Sequence, residues 1–169
     1  MKAAFLGLVL LAVIVSAFLS FKTTPSGPSI AGDWVGAWDV QTLGTASGEP
    51  KAERGNAVVE IHLRRNIFTM LHRYSGTGVV HPVDEPSQSF KILDVNVFPS
   101  GEFNGFMVGA GSAAQDGGEF SGTFNGATLT FSGNRTHTMS NQMQGVLQKG
   151  DHQAAEDLYQ RLTEASKKP

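Results

Sequence analysis

The chain has 169 residues, with 13 Lys and Arg against 15 Asp and Glu, a formal charge of −2. That length suits one domain of ordinary size, and the slight acidity argues against nucleic acid or an anionic membrane surface as partner. No cysteine occurs, which excludes a disulfide framework, thiolate metal ligands and lipid attachment through a cysteine.

Residues 1–21 carry one charge, Lys2. Lys2 supplies a positive n-region, Ala3 to Val15 an apolar h-region, and Val15-Ser16-Ala17 a small-residue cleavage site, the pattern of a secretory signal peptide. An uncleaved anchor is the competing reading, since Phe5 to Phe21 as a helix spans roughly 25 Å against a hydrocarbon core of ~30 Å. On either reading the rest of the chain is expected to be exported. It would be periplasmic or secreted, or held at a membrane by this segment alone. Residues 22–29 read as a flexible linker, 30–150 as the folded domain and 151–169 as a terminal helix.

From Ile30 the pattern is β. GDWVGAWDV alternates, with Trp34, Gly36, Trp38 and Val40 on one face and Asp33, Val35, Ala37 and Asp39 on the other. TLGTASGEPKAERGN reads as a loop. AVVEIHLR and IFTMLHRYS read as two strands joined by a two-residue turn at Arg65-Asn66. That pairing puts Val59, Ile61, Leu63, Phe68, Met70 and His72 on one face, with Glu60, His62, Arg64, Thr69 and Arg73 opposite. GVVHPVDEPSQS reads as a loop, and KILDVNVF as a strand with Leu93, Val95 and Val97 inward. After a turn at Pro99-Ser100-Gly101, EFNGFMVGAG forms the next strand.

In GEFSGTFNGATLTFSGN, Asn125-Gly126 signals a two-residue type I′ hairpin. Folding about it sets Phe124 against Ala127, Gly122 against Leu129 and Phe120 against Phe131. Gly122 then stands where a side chain would collide and where the strand must bend. A last strand, His137 to Leu147, carries Met139, Met143, Gly145 and Leu147 on one side. Beyond Gly150, Asp151 suits a helix N-cap, and Ala155, Leu158, Tyr159 and Leu162 recur at helical spacing, a stripe fit to lie across a barrel wall.

About eight strands with one apolar face each, and no helical pattern between them, predict an all-β fold. The expected form is an up-and-down antiparallel barrel with a C-terminal α-helix. Repeated glycine favours closure, which removes exposed edges; a β-sandwich is the alternative.

Gly32-Asp33-Trp34 at the start of the first strand, a meander, and a helix after the last strands resemble the lipocalin-like (calycin) group. That resemblance implies a barrel plugged at one end by Trp34, with Arg135 covering the Trp face through a cation–π contact. It also implies an interior pocket for small apolar ligands.

Candidate chemistry is sparse. His62, His72, His81, His137 and His152 are scattered, and none pairs at the spacing of a local metal site. His72 shares the inward face with Phe68, Met70 and Tyr74, where a neutral imidazole could hydrogen-bond a ligand or bind a heme iron. The competing reading is a rim histidine bonded to a neighbour, and a one-residue slip would exchange it for His62. No cofactor other than that heme alternative is expected, and no metal.

Met70, Met107, Met139 and Met143 with the many Phe residues, Phe68 and Phe120 among them, suit a pocket for an apolar ligand, or simply a core. Trp34, Trp38, Arg135 and Gly122 are expected to be structural. No nucleophile elbow or phosphate loop occurs, and Asn134-Arg135-Thr136 is a glycosylation sequon. Three functions are compatible with these residues. The first is an exported, non-catalytic binder of a small apolar molecule. The second is a filled barrel acting through its surface as a structural or interaction module. The third is a barrel isomerase or cyclase using His72 and Tyr74.

Overall fold

The computed structural model describes residues 27–44, 51–66, 73–83, 85–109, 117–136 and 140–167. The signal or anchor segment and most of the linker therefore lie outside the described residues. Eight strands follow in chain order: β1 (Gly32–Gly44), β2 (Lys51–Arg65), β3 (Arg73–Pro82), β4 (Gln88–Val97), β5 (Glu102–Gly109), β6 (Gly117–Phe124), β7 (Thr128–Thr136) and β8 (Ser140–Lys149). Each pairs antiparallel with the next, and β8 pairs with β1, so the sheet is a closed barrel rather than a sandwich.

The closure has a definite offset. Following paired residues from Gly32 through Leu63, Gly76, Ile92, Met107, Gly118, Arg135 and Asn141 returns to β1 at Thr42, ten residues further on. Eight strands with that offset tilt by roughly 40° and enclose a tube of roughly 8 Å backbone radius, room for its own side chains or one small ligand.

Alternation decides what fills it. Trp34 and Trp38 of β1, Val59, Ile61 and Leu63 of β2, and Phe131 of β7 are all buried in one apolar cluster. Their alternates, such as Asp33, Ala37 and Arg64, face water. Val35 and Val58 are exceptions, apolar on the outer face, and the helix explains them.

That helix is α1 (His152–Ser166), capped by Asp151, whose carboxylate accepts the Ala154 N–H at 3.1 Å. Ala155, Leu158, Tyr159 and Leu162 lie on Val35 and Val58, so the stripe crosses the barrel wall as its spacing predicts. No helix among the described residues is long and apolar enough to cross a membrane.

Residues 42–44 and 51–56, read as part of a loop, are strand, and three further details differ from the sequence reading. First, β2 and β3 are not joined by a two-residue turn at Arg65-Asn66. Arg65 pairs with Tyr74, the Asn66 N–H donates to the Arg73 carbonyl at 2.8 Å, and β3 extends to Pro82. Residues 78–82, read as loop, are therefore strand. Pro82 is tolerated because it ends the strand.

Second, Leu93 is 41 % exposed instead of inward. A bulge between Leu93 and Asn96, with Asp94 at φ 50°, inserts one residue and reverses the phase. Phe90 and Ile92 face inward before it, and Val95 and Val97 after it.

Third, the β6–β7 hairpin is longer than two residues. Asn125 Oδ1 accepts the N–H groups of Ala127 (3.0 Å) and Thr128 (2.9 Å), and Gly126 takes φ 97°. Phe124 therefore pairs with Leu129, Gly122 with Phe131, and Phe120 with Gly133. A shift of two residues leaves every side chain on its predicted face.

Candidate functional site

The end of the barrel where β1 begins is sealed. Gly32 has positive φ (123°), and Trp34, fully buried, donates its indole N–H to the Ile30 carbonyl at 2.9 Å. The edge of Phe124 meets its ring at 5.7 Å. The Lys149 ammonium lies 4.1 Å above the indole centroid and donates to the Ala31 carbonyl. Burial pulls the Lys149 pKa below its usual value, and Asp33 partly offsets this.

The stacked cation is therefore Lys149, not Arg135. Arg135 lies near the end of β7, paired with Gly118 and Asn141, at the opposite end of the barrel from Trp34. Closure explains the exchange, because pairing β1 with β8 brings the last residue of the final strand onto the first Trp.

Above this floor, Trp38 stacks on Phe131 (4.8 Å) and Phe90 (5.8 Å). Phe103 and Phe120 meet edge to face at 6.3 Å. Between them remains a void of about 30 Å³ with no polar surface, bordered by Trp38, Phe90, Phe103, Met107, Phe120 and Phe131 among others. Such a void stays dry, since water needs two or more polar partners. Level with Trp38 and towards the other end, the inward positions include the small Ala57, Gly109, Gly118 and Gly133 and the flexible Met107 and Met143, and by register the same row continues through Arg135, Asn141 and Thr42. The Met107 methyl reaches to 3.6 Å of where a Gly133 side chain would start.

Of the expected ligand contacts, Phe120 and Met143 are buried in the barrel cluster, as is Tyr74. Tyr74, however, pairs with Arg65 and Val95 at the Trp34 end and belongs to the sealed floor. Phe68, Met70, His72 and Met139 lie outside the described residues. His72 directly precedes Arg73, which opens β3 at the sealed end. Trp38 Nε1, an atom the sequence reading did not single out, is buried without a hydrogen-bond partner.

A second cluster sits on the outer wall. Glu60 of β2 binds His81 of β3 (2.8 Å) and His152 of α1 (3.0 Å), while the other His81 nitrogen meets Ser87 Oγ at 2.8 Å. The hydrogen bond that the His152 ring donates to Glu60, then the charge of Glu60, raises the His152 pKa above the usual value. Nearby, His62 contacts Asp33 and Arg64.

The Ser87–His81–Glu60 order is that of a nucleophile–base–carboxylate relay. Ser87 is exposed, though, and lines none of the cavities described here. The contacts fasten strand, connection and helix together. No group of His, Asp and Glu among the described residues has the arrangement of a metal site. The outer wall also carries a shallow depression of about 900 Å³ over β5–β8 and β1, floored by Ser121, Thr123, Thr130, Ser132 and Gln144.

Compared with protein-family models, with curated proteins and with solved structures, the chain gives no match.

Proposed function

We propose that the protein is an exported, non-catalytic barrel that binds a small, mainly apolar molecule in the half of its lumen remote from Trp34. What supports the reading is the gradient along the tube. Aromatic side chains crowd the Trp34 half, and from the level of Trp38 onward small or flexible residues take inward positions beside them, Ala57 next to Trp38, Gly109 next to Phe90 and Gly133 next to Phe120, with Met107, Gly118 and Met143. Small residues leave space, and methionine adapts to what enters it.

The test is titration with a fluorescent apolar probe such as dansylaminoundecanoic acid. Saturable 1:1 binding is expected in the wild type, with strong loss in Ala57→Phe, which fills the space beside Trp38. Absence of saturable binding by the wild type would overturn the proposal.

A second reading has its own observation. Among the described residues, the void enclosed within the aromatic cluster measures about 30 Å³, which favours a filled barrel working through its outer surface. Mass spectrometry of the gently purified protein separates the two. A bound small molecule supports the lumenal reading, and a bare chain that also refuses the probe supports the surface one.

A further inference from the structure

Trp34 and Trp38 stand four residues apart on the same face of β1, and the fold treats their indole N–H groups differently. That of Trp34 is satisfied by the Ile30 carbonyl. Trp38 is as deeply placed, 2 % exposed, yet its Nε1 has no acceptor. Native interiors rarely leave such a donor unpaired.

The surroundings say why none is supplied from within. Trp38 pairs with Ala57 on one side and Gly145 on the other, and neither carries a side-chain acceptor. The Cδ1 edge of the indole, which adjoins the N–H, lies against Gly145, where an added Cβ would come within 2.5 Å. The two rings stacked on it, Phe90 and Phe131, offer only carbon. A water in the small void that Trp38 borders would find no second polar partner, because that void is wholly apolar, and although Trp38 also edges the wall depression its Nε1 is buried from it.

We infer that Trp38 is the polar contact for the lumenal ligand, its N–H donating to a single carbonyl-type oxygen on an otherwise apolar molecule. The inference rests on the lumenal reading and narrows it to a ligand class. Trp38 marks the boundary between the aromatic half and the small-residue half. An oxygen held there leaves the hydrocarbon part among Ala57, Met143 and the glycines.

Two matched probes test it: 2-nonanone and 2-methyl-1-nonene, which differ by exchange of the carbonyl oxygen for a methylene. Displacement of the fluorescent probe should give the ketone about tenfold tighter binding in the wild type. In Trp38→Phe the advantage of the ketone over the alkene should vanish, whatever the affinity of both. In the wild type the ketone should move the Trp38 indole proton resonance downfield and leave that of Trp34, the internal control, in place.

Equal affinity of ketone and alkene for the wild type, or an unmoved Trp38 resonance on ketone binding, would overturn the inference while the lumenal reading survives. Failure of both probes to bind the wild type would remove the lumenal reading and this inference with it. If Trp38→Phe does not fold, the wild-type affinities and resonances decide alone.

Discussion

A methyl group at position 122 would lie 2.1 Å from the Thr130 carbonyl oxygen and 2.5 Å from Cζ of Phe103. The first obstacle is backbone and cannot swing aside, so Gly122→Ala should cost about 2–3 kcal/mol by overpacking. Urea unfolding would show this as a lowered midpoint at constant slope. Gly126 offers the comparison. It has φ 97° and nothing within 4 Å of an added Cβ, so Gly126→Ala should cost only the left-handed backbone strain, about 1–2 kcal/mol.

Lys149 should contribute less. Its ammonium is exposed over Trp34, so Lys149→Met should cost no more than about 1 kcal/mol, whereas Trp34→Ala empties a fully buried site and should cost about 3–5 kcal/mol. At this scale the sequence was informative about type and poor about partners. Gly122 reads as a forced small residue from the aromatics around it. Its true neighbour, Phe131 rather than Leu129, depended on Asn125 capping a longer loop through its own side chain.

At the level of elements, α1 is held by an apolar stripe, an N-cap, the Tyr159 hydroxyl donating to the Val83 carbonyl at 3.3 Å, and the Glu60–His152 clasp. Asp151→Ala removes the cap and should cost about 1 kcal/mol, seen as faster amide exchange in the first turn of α1 with the barrel unchanged.

The clasp makes docking pH-dependent. Around His152 stand Glu60 from β2, His81 from β3, and Asp151 and Glu156 of its own helix. The His152 pKa is raised in the folded state, so its contribution is complete below the unfolded value of about 6.5. It is lost as pH rises through the higher folded value. Amide exchange in α1 should therefore be slowest in mild acid and accelerate across neutrality beyond its intrinsic pH trend. In Glu60→Gln that excess should vanish.

The helix and its wall-facing stripe were legible because Ala155, Leu158, Tyr159 and Leu162 repeat at one period throughout. β4 was legible only in part, because the bulge at Asp94 reverses the alternation partway and puts Leu93 outside. The β2–β3 turn was misplaced because IFTMLHRYS reads as a strand entered directly after Arg65-Asn66. Gly76 and Gly78 are positions where β3 approaches β2 and the Phe90 ring closely.

Across the whole molecule, closure joins the first strand to the last, Trp34 opposite Lys149. No subset of strands completes the sheet, and the seam forms only after more than a hundred residues are brought together. Folding is therefore expected in the millisecond-to-second range of non-local β topologies. Stopped-flow tryptophan fluorescence would measure it, and submillisecond folding would contradict the seam as a late event.

A chain ending after Gly133 lacks β8 and leaves β1 and β7 with open edges. It should aggregate instead of forming a smaller barrel, as size-exclusion chromatography would show. The all-β class and the strand count were written in the alternation itself. The Lys149 seat over Trp34 was not, because only closure brings those two residues together.

The offset of ten residues on eight strands has a consequence for selection among occupants. Strand number and offset are integers, so the calibre of the tube is quantised and cannot be widened by degrees through exchange of lining side chains. Those exchanges alter how deep an occupant sits, while its girth is dictated by the hydrogen-bonded lattice. On the lumenal proposal, that girth would suit a lone unbranched tail or one flat ring and would refuse two tails side by side.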